Sequence, residues 1–153
     1  MHLIAHRGNI SGPNPKRENT PEYIEEAIEK GFDVEIDIRA EIDADCNSLR
    51  YILGHDQGDS EVSYQWLLRH VDKLWVHCKN LTALHALHGS PLNYFWHQED
   101  DFTLTSYNVI WTYPHRKVTD KSVIVCFTEE EAIFYTDEHP CLGICCDWVG
   151  KLK

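Results

Sequence analysis

The chain has 153 residues, 42% hydrophobic and 25% charged, a size and balance that fit one globular domain over 1–153 and exclude a disordered or fibrous chain. Its formal charge is −11, with 14 Lys and Arg against 25 Asp and Glu. Such a surface repels nucleic acid and anionic membranes, so a phosphate-bearing ligand would need a local cation.

In chain order, a first strand over residues 2–5 ends at His6, Arg7 and Gly8 and opens into NISGPNPKREN, whose Gly, Pro and Asn mark a surface loop. Thr20 and Pro21 begin a helix as N-cap and first-turn proline. Tyr23, Ile24, Ala27 and Ile28 form its apolar face and Gly31 stops it. Residues 32–38 and 51–53 read as strands. Tyr64, Leu67, Leu68 and Val71 follow at the i, i+3, i+4, i+7 spacing of a helix. Further strands are expected at LWVHC, NYFWH, VIWTY, SVIVCF and GICCDWV, with helices over 81–88 and 128–134. The acidic run from Glu129 to Glu131 suits a helix first turn.

This alternation predicts an α/β fold of parallel strands, and polar residues at strand ends suggest a (β/α) barrel. A full eight-unit barrel takes about 250 residues. The expectation is therefore a reduced TIM-barrel-like fold with several helices shortened or missing, above all between 89 and 126. An open, doubly wound sheet is the alternative. Strand edges exposed by the shortening would be covered in a homo-oligomer.

The opening run MHLIAHRG lacks the apolar length of a secretory signal and nothing approaches a membrane span, so the chain is expected in the cytoplasm, without stable membrane insertion. The six cysteines lack CxxC pairs and are read as reduced and structural. In that setting the glycosylation sequons at Asn9 and Asn80 carry little meaning.

Chemistry-bearing residues gather at the strand ends. Glu35 and Asp37, two apart in one strand, face the same side, the interior of a barrel. A divalent cation would offset the cost of burying two like charges; an exposed edge strand is the other reading. His6 and His55 end two different strands. Paired imidazoles suit phosphodiester cleavage, one accepting a proton from the attacking oxygen and the other protonating the leaving oxygen.

The run IAHRG, then RENTPEYIEEAI, then GFDVEID, then LGHD resembles the signature of glycerophosphodiester phosphodiesterases, in which an HRG turn, a PENT-type helix start, an E-I-D metal strand and an HD turn follow in that order. The similarity covers residues 3–56. It implies a metal-dependent phosphodiester hydrolase on a TIM barrel, related to phosphatidylinositol phospholipases C, with a small glycerophosphodiester-like substrate. By the same resemblance His6 and His55 form the acid/base pair, Arg7 contacts phosphate, Glu35 and Asp37 bind metal, and Glu18 sits near it. Arg17 replaces the family's proline. Magnesium or calcium is implied.

Downstream, the family's E-x-K strand reads Val76-His77-Cys78-Lys79 here, placing His77 where a third carboxylate ligand is usual and shifting the preference toward manganese or zinc. Lys79, on the same face, reaches phosphate. GICCDW keeps the family's closing strand in part, ending in Asp147 and Trp148.

His97 is read as a substrate contact, beside a solvated acidic loop at 99–101. Trp111 and Tyr113 are core residues, or else a platform for a sugar or glycerol moiety. His70, His85, His88, His115 and His139 receive no role. Two alternatives accompany the hydrolase: a non-hydrolytic module that holds a metal or phosphorylated ligand, and a sphingomyelinase D-like lyase giving a cyclic phosphate.

Overall fold

The computed structural model describes residues 1–58, 60–138 and 140–152, so His139 lies outside the described residues. Among the described residues ten strands form one sheet, in chain order β1 (His2–His6), β2 (Asp33–Ile42), β3 (Leu49–Leu53), β4 (Ser60–Val62), β5 (Leu74–Cys78), β6 (Asn93–Phe95), β7 (Phe102–Leu104), β8 (Ile110–Thr112), β9 (Ser122–Val125) and β10 (Gly143–Cys146). Four helices punctuate them: α1 (Pro21–Glu29), α2 (Tyr64–Arg69), α3 (Leu81–Leu87) and α4 (Glu129–Glu138). A short 3-10 turn, Val149–Lys151, follows β10.

Parallel ladders run in the order β6, β5, β2, β1, β10, β9, β8. The all-parallel expectation needs correction at three places. β3 pairs antiparallel with β2, β4 with β3, and β7 with β8. The connections at 43–48 and 105–109 are too short for a crossover, so the chain can only turn back on itself. The second strand also runs four residues past its predicted end, because Ile38 to Ile42 gain a partner in β3. No helix occurs among the described residues of the 89–126 segment.

The helices form where the sequence punctuates them. Pro21 opens α1 and Gly31, at φ +88°, ends it. The Thr20 hydroxyl donates to the Arg17 carbonyl and does not cap the helix. Ser63 and Asn80 do cap α2 and α3, accepting from the amides of Trp66 and Ala83. Ile24, Ala27, Leu67, Ala83, Leu87 and Ala132 from the four helices share one core with Val34, Ile36, Ile38, Val76 and Ile144 of the sheet. The opposite sheet face packs Ile4, Trp75, Phe95, Trp111, Val123 and Cys145 against each other without a helix residue. Helices on one face alone do not make a doubly wound sheet.

The sheet is strongly curled. β6 and β8 are six ladders apart, roughly 29 Å in a flat sheet, yet the Phe95 and Trp111 rings lie 4.5 Å apart by centroid. The Ser106 amide donates to the Tyr94 carbonyl at 2.8 Å, tying the segment between β7 and β8 to β6. The same alternation that sends Val34, Ile36 and Ile38 toward the helices turns Asp33, Glu35 and Asp37 inward. The inner face thus carries apolar rings at mid-depth, Asp33 with His2 and Lys73 at its amino end, and Glu35 and Asp37 toward its carboxyl end.

Candidate metal centre and two-histidine cavity

At the carboxyl ends of the parallel strands lies a cavity of about 540 Å³, lined on one side by His6, Arg7, Glu35, Asp37, His55, His77, Lys79 and His97. The sequence-predicted residues thus converge, with one exception taken up below. The register explains it: His6 sits opposite Glu35, and Asp37 opposite His77, in adjacent ladders of the inner face.

Glu35 and Asp37 are 2% and 1% exposed, and each needs partners at that depth. Asp37 Oδ2 accepts from Asn19 Nδ2 at 3.1 Å and lies 2.7 Å from Arg7 Nε. That N–H makes no aligned hydrogen bond, so the contact is an ion pair. Asp37 Oδ1 faces His77 Nδ1 at 3.6 Å and Lys79 Nζ at 3.9 Å. Glu35 Oε1 is 3.3 Å from His77 Nδ1, while Glu35 Oε2 is buried with no hydrogen-bond partner. Burial pushes the Glu35 carboxyl up, but His77, His6 and Arg7 outweigh it and hold the group well below the usual carboxylate range.

His77 decides what this cluster can do. Its Nε2 meets the backbone carbonyl of His97 at 2.8 Å. A carbonyl only accepts, so Nε2 carries the proton, and in the neutral ring Nδ1 presents a bare lone pair to two carboxylates. Such a ring must either take a second proton or share a cation with its neighbours. A histidine that gives its far N–H to a carbonyl is the usual arrangement of a metal ligand. One ligand atom each from Glu35, Asp37 and His77 can be chosen within 4.8 Å of one another. The orphaned Glu35 oxygen and the bare His77 nitrogen fit a divalent ion with mixed O and N donors.

Two further histidines share a common geometry. His6 Nδ1 donates to Asp147 Oδ1 at 2.8 Å, and His55 Nδ1 to Asp56 Oδ1 at 2.8 Å. Each aspartate leaves Nε2 outside that hydrogen bond, and in His6 it lies 3.9 Å from Glu35 Oε2. Burial lowers the His6 pKa, but the hydrogen bond and charge of Asp147, with the charge of Glu35, raise it on balance above its ordinary value. His55 stands at the rim, its side chain 45% exposed.

The chain matches no protein-family model, and no curated protein matches it.

Glu18 is the exception. Its Oε1 accepts from Asn9 Nδ2 at 2.9 Å and its Oε2 from Arg7 at 3.4 Å, so it braces the loop and is not among the three clustered ligands. Arg7 itself has φ +54°, a conformation rare outside glycine, adjoining Gly8 at φ +92°. His97 is held by the Asp100 carbonyl and orients His77 through its own carbonyl; the residue is 7% exposed. Trp111 belongs to the inner core, whereas Tyr113 emerges at the cavity mouth. Asn9, one sequon residue, is fully buried, and both amide atoms of the other, Asn80, are engaged with Ala40 and Ala83.

Sequence reasoning missed Asn9, Asn19 and Asp147 as parts of the site. Asn9 Nδ2 bridges Glu18 and Asp147, and Asn19 Oδ1 accepts from the Asp37 amide at 3.0 Å. A signal existed for Asn19. It has φ +56°, which asparagine tolerates better than most residues, and it occupies the N of the RENT run.

Proposed function

We propose that the chain is a metal-dependent phosphodiester hydrolase of the glycerophosphodiester phosphodiesterase type, on a curled sheet that we read as a reduced TIM barrel. The observation that carries this reading is His77 Nδ1 facing Glu35 and Asp37 at 3.3 and 3.6 Å while its Nε2 is taken by the His97 carbonyl, in one cavity with two aspartate-held histidines.

Glu35, Asp37 and His77 would hold the ion, which when bound supplies positive charge to a phosphate oxygen and polarises the phosphorus centre. Arg7 and Lys79 line the same cavity and neutralise the remaining phosphate charge. Arg7 keeps its side chain near the carboxylates through Asp37 and Glu18. One histidine accepts the proton from the attacking hydroxyl or water at Nε2 as the new P–O bond forms. The other delivers a proton from its Nε2 to the leaving oxygen as the old P–O bond breaks. Asp147 and Asp56 hold the two rings in the tautomer this needs and stabilise each imidazolium as it forms. His97 lines the cavity and positions His77 through its backbone carbonyl.

The test is release of alcohol from bis(p-nitrophenyl) phosphate and glycerophosphodiesters with magnesium, calcium, manganese or EDTA. Wild type should turn over with metal and lose activity in EDTA. His6→Ala and His55→Ala should each lose about a hundredfold or more. Metal binding without turnover in any of the three would overturn the hydrolase and favour a binding module. A cyclic phosphate product would mark a lyase.

A further inference from the structure

The cavity has two unlike sides. Beyond the charged residues and Gln98, its lining is Trp111 and Cys145 at depth and Tyr113, Pro114, Val125 and Phe127 toward the mouth, the last four contributed by β9 and the segments that follow β8 and β9. Phe127 is 56% exposed and Tyr113 37%, and their rings meet edge to face at 6.1 Å. Neighbouring aromatic faces left open at the mouth of a pocket invite an apolar partner. They are also held in place. The Phe127 amide donates to Glu131 Oε2 at 2.8 Å, and Glu131 Oε1 pairs with His115 on the segment after Tyr113 at 3.0 Å.

A second hollow of about 290 Å³ adjoins the first, and Arg7 and His55 border both. Its other walls include Lys16, Glu18, Thr20, Gln57 and Ser60, with hydrogen-bonding groups on every one. A phosphate held at Arg7 therefore has an aromatic wall in one direction and a polar cleft in the other.

We propose that the substrate is an amphiphilic phosphodiester, with an apolar ester arm against Tyr113 and Phe127 and a polar alcohol in the cleft beside Lys16, Thr20 and Gln57. This rests on the phosphodiesterase reading and narrows it, because a glycerophosphodiester with two polar arms leaves the aromatic pair uncovered. The apolar arm is either aliphatic or aryl, and the choice of probes separates the two.

The experiment compares kcat/KM of the metal-loaded full chain for glycerophosphocholine, its short-chain monoacyl counterpart and p-nitrophenyl phosphocholine, with choline release as the readout. Wild type should prefer at least one of the two apolar-armed substrates over glycerophosphocholine by about tenfold or more, the scale of discrimination that small apolar contacts supply. Preference for the monoacyl compound identifies an aliphatic arm, and preference for the nitrophenyl compound an aryl one. Phe127→Ala should collapse the ratio toward unity and Phe127→Leu should restore most of it. Phe127 is the better probe because its exposed ring carries little of the fold, whereas Tyr113 also packs edge to face on His97.

Turnover of all three substrates without preference overturns the amphiphile and leaves the phosphodiesterase standing. So does a preference that survives Phe127→Ala. Absence of metal-dependent turnover of any of them, and of bis(p-nitrophenyl) phosphate, overturns both.

Discussion

Single atoms decide how the site works. His6 can serve as base or acid only while Asp147 holds its Nδ1 proton, so Asp147→Asn should lower kcat for bis(p-nitrophenyl) phosphate by about a hundredfold or more with the circular dichroism spectrum unchanged. An undiminished kcat would remove Asp147 from the dyad. Likewise, His77→Ala should weaken manganese binding in isothermal titration by about a hundredfold or more, beyond what outer-shell changes cause. His6, Arg7, Glu35, Asp37 and His55 were legible because their motifs are local runs. Asp147 was visible only as the end of a strand, since its partner is 141 positions away and no local pattern encodes that pairing. Asn9 stayed hidden for a similar reason. A buried asparagine that bridges two carboxylates looks, in sequence, like any other loop residue.

Among the elements, β2 bears most of the architecture. It pairs with β1 and β5 along its first half and with β3 along its second, presenting carboxylates to one side and Val34, Ile36 and Ile38 to the other. Ile36 is fully buried, and Ile36→Ala should destabilise the protein by about 2–5 kcal/mol in urea unfolding. A much smaller change would mean that the surrounding helices collapse onto the vacancy. The longer strands and the helices were legible, α1 and α2 from apolar spacing and α4 from its acidic first turn, although Thr20, read as the α1 cap, bonds Arg17 instead. β4 and β7 were not, because segments as short as SEV and FTL carry no readable alternation and owe their conformation to one neighbouring strand each. The parallel alternation was likewise legible. The antiparallel additions depend on loop lengths that only the folded chain reveals.

For the whole molecule, burial sets the reactivity of its thiols. Cys46 is exposed and the other five cysteines are buried and free. Burial pushes Cys78 up to about 12 and Cys146 up to about 11, and raises Cys126, Cys141 and Cys145 as well. A raised pKa leaves less thiolate at a given pH, and thiolate is the reactive form. Dithiobis(nitrobenzoate) near neutral pH should therefore titrate Cys46 alone in the native protein and all six cysteines in guanidinium. Early labelling of more than one thiol in native buffer would contradict the packed outer core. Among the described residues no helix is long and apolar enough to cross a membrane. The barrel-like expectation pointed to a curled sheet, but the degree of curl was beyond the reach of sequence, since it follows from how far-separated strands pair.

The placement of β1 has a consequence in time. β1 is flanked by β2 on one side and by β10, more than a hundred residues further along the chain, on the other. Contacts of such sequence separation form late and raise the contact order that slows folding. A nascent chain still lacking β10 leaves one edge of β1 open, and it holds His6 with no carboxylate to steady its ring. The cavity is thus complete only once β10 has slotted in beside β1, and a chain cut before β10 would fold, if at all, without the carboxylate that fixes His6 Nδ1.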